Sequence, residues 1–430
     1  MQCLVVLALT VLISAVSPLA ADAAAVKPGD IITPDTASAV ADLVSPGNLV
    51  LVKQGMRMTI VPTERLAWPP PYQSATEKYA PQVRLSDQGF LENYVAGLPF
   101  PLLDPNDPRI APKVMWNFSY KPIATDDLDI RNVETISHRA QDVVPGQPVI
   151  HITTAHVSSY CNIGRTEVQP IPTDPDAAAT GIRYRFGAFS VLEPAALRGF
   201  GYMRYRYKLP TLEDNIWLYI PNARRVIRSR ADTQSDANNA NLIDPDSYFG
   251  FAAKIEDFNY RLLGIKPMLA VVHAANLPAQ ACEFDNSRTV CPENWEMRQV
   301  YIVEASEKPP SWHQEIGTSG LSIPKRILYI DSEGWFITAS DQYSKDGALW
   351  KTLALFTAYR DRSAIDAKVA IYPFKRIFQT AMVDEDVNTG FASVSYTPGR
   401  DAKEPEGWYI NMGMIRPDYL EPRKMEWVGH

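Results

Sequence analysis

From about residue 148 onward the chain alternates apolar and polar residues with a period of two, the spacing that a β-strand imposes. The clearest case is the run 202–208. Met203, Tyr205 and Tyr207 share one face of it, and the basic residues between them share the other. Proline, asparagine and glycine turns separate such runs at short intervals, which is typical of an antiparallel meander. The sequence therefore predicts a mainly β (α+β) protein built on one large curved antiparallel sheet.

Several predicted strands, among them Ile216–Ile220 and Leu349–Phe356, are apolar on both faces. Both sides of the sheet must therefore be covered, or one side must line an apolar cavity. Asp244–Pro245 is typical of a helix start, and the aromatic residues that follow give a broad apolar face. We expect a helix there that covers the concave face as a lid.

The rest of the mature chain is richer in proline than in glycine, 35 against 22 overall, and this favours irregular segments. Residues 24–147 are expected to wrap over the core in irregular form, with Trp68–Tyr72 extended. Residues 148–396 form the β domain, and the tail 397–430 packs against it.

Residues 1–23 have the features of an export signal. Leu4–Val16 is apolar, and Ala21–Asp22–Ala23 fits the cleavage pattern, although no basic residue precedes the apolar run. The alternative is an N-terminal anchor, but about 13 apolar residues are too few to span a bilayer. We expect an exported protein in an oxidising compartment that is not membrane-spanning after cleavage, with a disulfide between Cys282 and Cys291 and a free Cys161.

Composition and motifs exclude several functions. A net charge of −7 without a basic stripe argues against nucleic-acid binding. His151 and His156 would lie on opposite faces of a strand, and 384–390 departs from the calcium-loop pattern, so no metal site is expected. No nucleophile elbow, phosphate loop or dinucleotide motif is present, so we assign no catalytic residue and no cofactor and expect a protein that is not an enzyme.

Aromatic residues on or beside the predicted strands and on the predicted helix are candidates for the wall of a hydrophobic pocket. They are Tyr205, Tyr207, Trp217, Tyr219, Tyr248, Phe249, Trp335 and Trp350. Ordinary core packing is the alternative for each. Arg224 and Arg225 could bind an anionic head group at the mouth or latch the lid through Asp246, or they could be solvated strand-end arginines.

Four stretches resemble a known family of exported bacterial proteins, the domain of unknown function 1329. They are YRYKLPTLEDNIWLYIP at 205–221 with Arg224–Val226, DPDSY at 244–248, YVAGLPFP at 94–101 with the following Asp-Pro pairs and Trp116–Asn117, and LYID at 328–331 with Trp335 and GALWK at 347–351. The resemblance implies kinship with the periplasmic LolA/LolB lipoprotein carriers, a half-open β-barrel of that type and a location in the periplasm. It further implies a resistance-nodulation-division (RND) transporter or an outer-membrane protein as partner.

These observations favour a carrier that binds a lipid or another hydrophobic molecule without chemistry. An envelope scaffold or transporter-accessory protein with a side-chain-filled barrel is the alternative. A hydrolase of hydrophobic substrates would need a histidine beside a serine or aspartate in a pocket, for instance His156 or His273.

Overall fold

The computed structural model describes residues 26–139, 151–190, 198–229, 245–275, 292–308, 323–362, 371–397 and 407–428. The signal segment, Asp244, Cys282 and Cys291 lie outside these ranges, so the predicted cleavage and disulfide stay predictions. Strand accounts for 44% and helix for 19% of the structure. The mainly β prediction is confirmed.

Within the described ranges sixteen strands form one sheet and two form a small ribbon. The strands are β1 Ile31–Ile32, β2 Met58–Ile60, β3 Arg84–Leu85, β4 Leu91–Glu92, β5 Asp127–Arg139, β6 His151–Cys161, β7 Ile182–Ser190, β8 Gly201–Tyr207, β9 Asn215–Ile220, β10 Arg225–Ser229, β11 Phe258–Ala270, β12 Glu293–Glu307, β13 Lys325–Asp331, β14 Ile337–Tyr343, β15 Leu349–Arg362, β16 Ile371–Asp386, β17 Phe391–Tyr396 and β18 Trp408–Ile410.

The large sheet runs in the order β1-β2-β12-β13-β14-β15-β16-β17-β5-β6-β7-β8-β9-β10, with β11 paired to β12 and β18 to β5. Its pairs are antiparallel except for the short parallel contact between β2 and β12. Over the described residues β10 pairs with β9 and β11 with β12, so the two edges do not meet. The sheet is open, as the half-open prediction required.

The predicted meander is recognisable residue by residue. The run 202–208 becomes β8, and its partner β9 places Met203 opposite Trp217. Both faces of this hairpin are covered, because Met203 and Ile216 are fully buried on opposite sides of the sheet. The two-sided apolar pattern of these strands therefore reflects two separate cores.

The segment before residue 148 contains more regular structure than its proline content suggested. Its helices are α1 Pro46–Lys53, α2 Pro70–Tyr79 and α3 Ile110–Ser119, and the later helices are α4 Asp176–Thr180 and α5 Met425–Val428. The extended prediction for Trp68–Tyr72 was wrong, since Pro70 and Pro71 begin α2. The first turn of a helix needs no bonded N–H group, so proline is tolerated there. Strand β5 also lies in this segment, so the main sheet begins before residue 148.

The predicted lid helix after Asp244 is also wrong. Pro245–Gly250 is a kinked 3-10 segment in which Phe249 has a φ of +55°. Arg204 and Arg206 of β8 both donate to the carbonyl oxygen of Ala252, at 2.7 and 3.0 Å. A helix over 244–255 would need such carbonyls for its own bonds. The segment still covers the sheet, but as an irregular strap.

Candidate functional site

A cavity of about 200 Å³ lies between one face of the open sheet and the segments that cover it. Strands β6, β7 and β8 form one wall, and β14, β15 and β16 form the other. The covers are the end of α3 with the chain that follows it, over 118–125, and the strap, which comprises residues 245–255. Among its lining residues are Phe118, Tyr120, Lys121, Leu128, Cys161, Arg183, Tyr184, Phe186, Arg204, Arg206, Tyr248, Phe249, Phe251, Ile255, Ile337, Leu355, Ile377 and Trp408.

Aromatic contacts between the covers and the sheet hold the apolar wall together. Tyr248 of the strap lies 5.5 Å from Phe186 of β7, measured between ring centroids. Phe249 lies 6.2 Å from Trp408 in an edge-to-face arrangement. Such pairs stabilise by about 0.5–1.5 kcal/mol beyond the area they bury. The strap is therefore attached through the same side chains that line the cavity.

The polar part of the lining is cationic. Lys121, Arg183, Arg204 and Arg206 line the cavity, and no aspartate or glutamate is among the described lining residues. Arg206 is neutralised by Asp214 at 2.6 Å. Arg204 is neutralised by Asp246 at 2.7 Å.

The other two cations have no carboxylate partner within the described parts of the chain. Arg183 donates to Ser119 Oγ, and its guanidinium lies 4.2 Å from the centre of the Tyr120 ring. Lys121 Nζ lies 3.4 Å from the carbonyl oxygen of Phe118 and 4.2 Å from the centre of that residue's ring. Both contacts orient a cation without cancelling its charge.

Burial shifts the titration of groups at this site. Burial lowers the pKa of Lys121 to about 8, with a smaller contribution in the same direction from Arg183. Burial raises the pKa of Cys161 to about 11. Cys161 is a free thiol, and at neutral pH it stays protonated and a poor nucleophile.

Of the eight aromatic candidates, Tyr248 and Phe249 line this cavity. The other six are absent from its described lining: Tyr205, Tyr207, Trp217, Tyr219, Trp335 and Trp350. Their assignment as ligand contacts therefore stays a prediction, and these residues do not line this cavity.

The aromatic face of β8 and β9 points away from the cavity. Tyr205, Trp217 and Tyr219 pack in one cluster with the C-terminal residues Leu420 and Met425. Tyr205 donates its hydroxyl to the carbonyl of Leu420. The tail thus occupies the face on which the sequence placed the ligand.

The remaining candidates have structural contacts elsewhere. Tyr207 accepts a hydrogen bond from Asn215. Trp335 stacks on Tyr301 at 5.6 Å between ring centroids. Trp350 donates through Nε1 to Asp386 at 3.0 Å.

The predicted latch is formed by a different arginine. Arg224 and Arg225 are exposed at the β9–β10 turn. Asp246, proposed as their partner, instead accepts from Arg204 of β8. Arg204 was recognised only as part of an alternating face. Its burial depends on which side of the sheet the strap covers.

Sequence reasoning missed Lys121 and Arg183. Neither belongs to a motif, and each lies in an aromatic neighbourhood, F-S-Y-K at 118–121 and R-Y-R-F at 183–186. Basic residues flanked by several aromatic residues were the available signal.

Neither histidine proposed for a hydrolase forms a relay. His156 Nε2 contacts Asp129, and the same nitrogen lies 3.1 Å from Ser158 Oγ. A serine–histidine–aspartate relay needs the serine and the aspartate on opposite ring nitrogens. His273 is paired with Glu296 at 3.0 Å. Neither histidine lines the cavity.

Two further findings concern the described residues only. No group of three or more His, Cys, Asp or Glu side chains in them is arranged to hold a metal ion. None of their helices has the length and apolar character needed to cross a membrane.

Comparisons with known proteins place the chain in a family. A search of curated proteins found no match. Among solved structures, a domain described as an outer membrane lipoprotein-sorting protein from Vibrio parahaemolyticus is 14% identical and covers 73% of this chain and 97% of its own, with a TM-score of 0.46. A DUF1329 family protein from Desulfovibrio piger, also 14% identical, covers 70% of this chain and 92% of its own, with a TM-score of 0.41.

A LolA superfamily protein from Nitrosomonas europaea is likewise 14% identical and covers 69% of this chain and 90% of its own, with a TM-score of 0.35. The family described as "Protein of unknown function (DUF1329)" matches residues 31–404, which is most of the chain. As the four sequence stretches predicted, the chain belongs to the DUF1329 family.

Proposed function

We propose that this protein is a periplasmic, non-enzymatic carrier that binds a lipid or another hydrophobic molecule in the cavity between the sheet and its covers. The observation that carries the proposal is the cavity itself, which is open, mostly apolar and walled by aromatic side chains. Apolar burial stabilises a bound chain by about 0.8 kcal/mol per methylene group. Binding of this kind needs no reactive residue.

The strap gives the carrier a way to admit its ligand. Tyr248 and Phe249 lie at the kink of the 3-10 segment, and Phe251 follows it directly. It is held by side-chain contacts, which can break without unfolding the sheet. We propose that the strap moves aside for entry and release.

The scaffold alternative requires a core filled by side chains. About 200 Å³ of open space behind the strap favours the carrier. An RND exporter or an outer-membrane protein is the partner that the family resemblance implies, and we propose one on that ground alone. Cross-linking in cells followed by identification of the captured membrane protein tests it.

The first experiment is native mass spectrometry of the protein purified from periplasm, followed by extraction of the same sample with organic solvent. The proposal expects a stoichiometric hydrophobic adduct that the solvent removes. A clean apo mass, together with no binding of fluorescent fatty-acid probes, would overturn it.

A substitution then tests whether the ligand binds in this cavity. Phe249→Asp puts a charge into the apolar wall, and aspartate tolerates the left-handed backbone at this position better than most residues. We expect at least a tenfold loss of probe affinity. Leu102→Asp is the matched control, because Leu102 is 92% exposed and outside the cavity. Equal probe affinity of the two variants would show that the probe does not bind in this cavity.

Cys161 provides an independent readout because it lines the same cavity. Bound ligand should slow methylation of its thiol by a small neutral reagent, and Cys161→Ala identifies the signal. An unchanged methylation rate at saturating ligand would contradict binding at this site.

A further inference from the structure

Two unneutralised cations in a mostly apolar cavity call for an explanation. A buried charge costs several kcal/mol unless it is paired, and proteins usually provide a carboxylate for it. Here Arg204 and Arg206 have such partners, whereas Lys121 and Arg183 have none among the described residues.

The two side chains belong to different elements. Lys121 follows α3, which ends at Ser119, and Arg183 lies at the start of β7. Each acts on the other electrostatically, since Arg183 contributes to the lowered pKa of Lys121. Arg183 also contacts both Ser119 and Tyr120 of the covering segment. The two charges therefore face one end of the same cavity.

Donor geometry suits an oxyanion. A guanidinium has five N–H donors, and Arg183 directs some of them to Ser119 Oγ and to the Tyr120 hydroxyl. The guanidinium also lies 4.2 Å from the centre of the Tyr120 ring, and the donors that these contacts do not use can bind an oxyanion. Lys121 adds a mobile ammonium group with one weak carbonyl contact at 3.4 Å.

Glu256, an acidic residue beside this site, does not neutralise them. Glu256 follows Ile255 of the strap and acts electrostatically on Tyr120. No ion pair joins Glu256 to either cation in the described part of the chain, and its Oε2 has no hydrogen-bond partner there.

We propose that Lys121 and Arg183 form a subsite for the anionic head group of an amphiphile, a carboxylate or a phosphate, whose tail lies on the aromatic wall. This inference rests on the proposed carrier function and specifies its ligand class. A neutral lipid would leave both cations unpaired, whereas an anionic head group pairs with both of them through charge-assisted hydrogen bonds.

The test compares three ligands with the same twelve-carbon tail: dodecanoate, 1-dodecanol and dodecylamine. Affinities are measured by calorimetry below the critical micelle concentration at pH 7. We expect dodecanoate to bind at least tenfold more tightly than dodecanol and dodecylamine to bind most weakly.

Lys121→Met removes the charge and keeps an apolar stem of similar length. It should lower dodecanoate affinity at least fivefold and leave dodecanol affinity within twofold. Arg183→Lys keeps the charge but not the planar donors, and its affinity for dodecanoate should lie between those of the wild type and Lys121→Met. Lys345→Met is the matched control, because it removes one exposed positive charge outside the cavity. Circular dichroism checks that each variant folds, and Lys121→Met alone suffices if the Arg183 variant does not.

The outcomes separate the two proposals. Equal binding of dodecanoate and dodecanol, with no effect of Lys121→Met, overturns the head-group subsite and leaves the carrier intact. No binding of any of the three overturns the carrier itself. Displacement of dodecanoate by 1 mM inorganic phosphate, with phosphate binding as tightly as dodecyl phosphate, would assign the site to a free anion and overturn the amphiphile.

Discussion

Arg204 on β8 donates to Asp246 on the strap at 2.7 Å, and this ion pair joins the cover of the cavity to the sheet beneath it. Arg204 is 3% exposed and Asp246 is 31% exposed, measured on their side chains. The strap is thus anchored from inside by a buried arginine whose partner carboxylate can reach solvent. Opening the strap requires this pair to separate.

Asp246→Asn should therefore loosen the strap. A hydrogen bond to a charged group contributes about 1.5–3 kcal/mol, and the amide retains part of it. We expect a loss of about 1 kcal/mol in the free energy of unfolding and a several-fold faster release of bound dodecanoate in stopped-flow displacement. Arg225→Met, at the position that the sequence proposed for the latch, should change neither quantity. An effect of Arg225→Met equal to that of Asp246→Asn would contradict this assignment.

Ligand affinity should depend on pH through Lys121. Its pKa in the free protein is lowered to about 8, and a bound anion favours the ammonium form and raises that pKa. Affinity for dodecanoate is then constant below about pH 7 and falls as pH rises through 8, by up to tenfold per pH unit.

The neighbours of Lys121 with shifted pKa values titrate well above pH 8. Besides Arg183, and Glu256, which acts on Tyr120, the neighbours are Cys161 and Tyr120, and burial raises their pKa values to about 11 and about 12. Calorimetry between pH 6.5 and 9.5, in buffers of different ionisation enthalpy, should detect proton uptake near pH 8. An identical profile for Lys121→Met would show that another group titrates.

The contact between Tyr205 and Leu420 should contribute to stability and leave binding unchanged. Tyr205→Phe removes a buried hydrogen bond and is expected to cost about 1 kcal/mol. Leu420→Ala empties a fully buried site and is expected to cost about 2–5 kcal/mol. Urea unfolding measures both. A tenfold loss of dodecanoate affinity in a folded Tyr205→Phe variant would show that the ligand binds on this face of the sheet instead.

Asp341 should make stability depend on pH between about 4 and 6. Burial raises its pKa from 3.8 to about 6, and the hydrogen bonds from Gly47 N, Thr352 and Ser45 offset only part of this shift. The folded state therefore binds the extra proton between these values. This residue's contribution to stability rises as pH falls from about 6 to 4 and is smallest above pH 7.

Urea unfolding of the wild type and Asp341→Asn at pH 4.5, 6 and 7.5 isolates this contribution. The difference in free energy of unfolding, wild type minus variant, should grow toward low pH, on the order of 2–3 kcal/mol. A difference that is constant over this range would show that Asp341 titrates normally.

Much of the strand pattern could be predicted from local sequence. The alternation over 202–208 identified β8 and separated its arginines from its aromatic residues, because side chains of a strand alternate between faces. The helix α2 could not be recognised in this way, since a proline run is compatible with an extended chain and with the first turn of a helix. The kinked strap replaced a helix because Arg204 and Arg206, more than 40 residues away, bind its carbonyl groups.

The candidate site depended on long-range contacts to a greater degree. Tyr248 and Phe249 were identified as aromatic candidates, but Lys121 and Arg183 were not, because an isolated basic residue is usually a solvated one. They become exceptional only through burial beside the cavity without a carboxylate.

Local sequence determined the strands, the division of each strand into two faces, and membership of the DUF1329 family. The tertiary structure decided which face meets the cavity. Both faces of β8 are buried although one of them carries arginines, and alternation alone does not say which segment covers which face. The C-terminal residues around Leu420 cover the aromatic face, and the strap covers the arginine face. Only the packing of these distant segments, which bury one face each, makes the two sides of the sheet different.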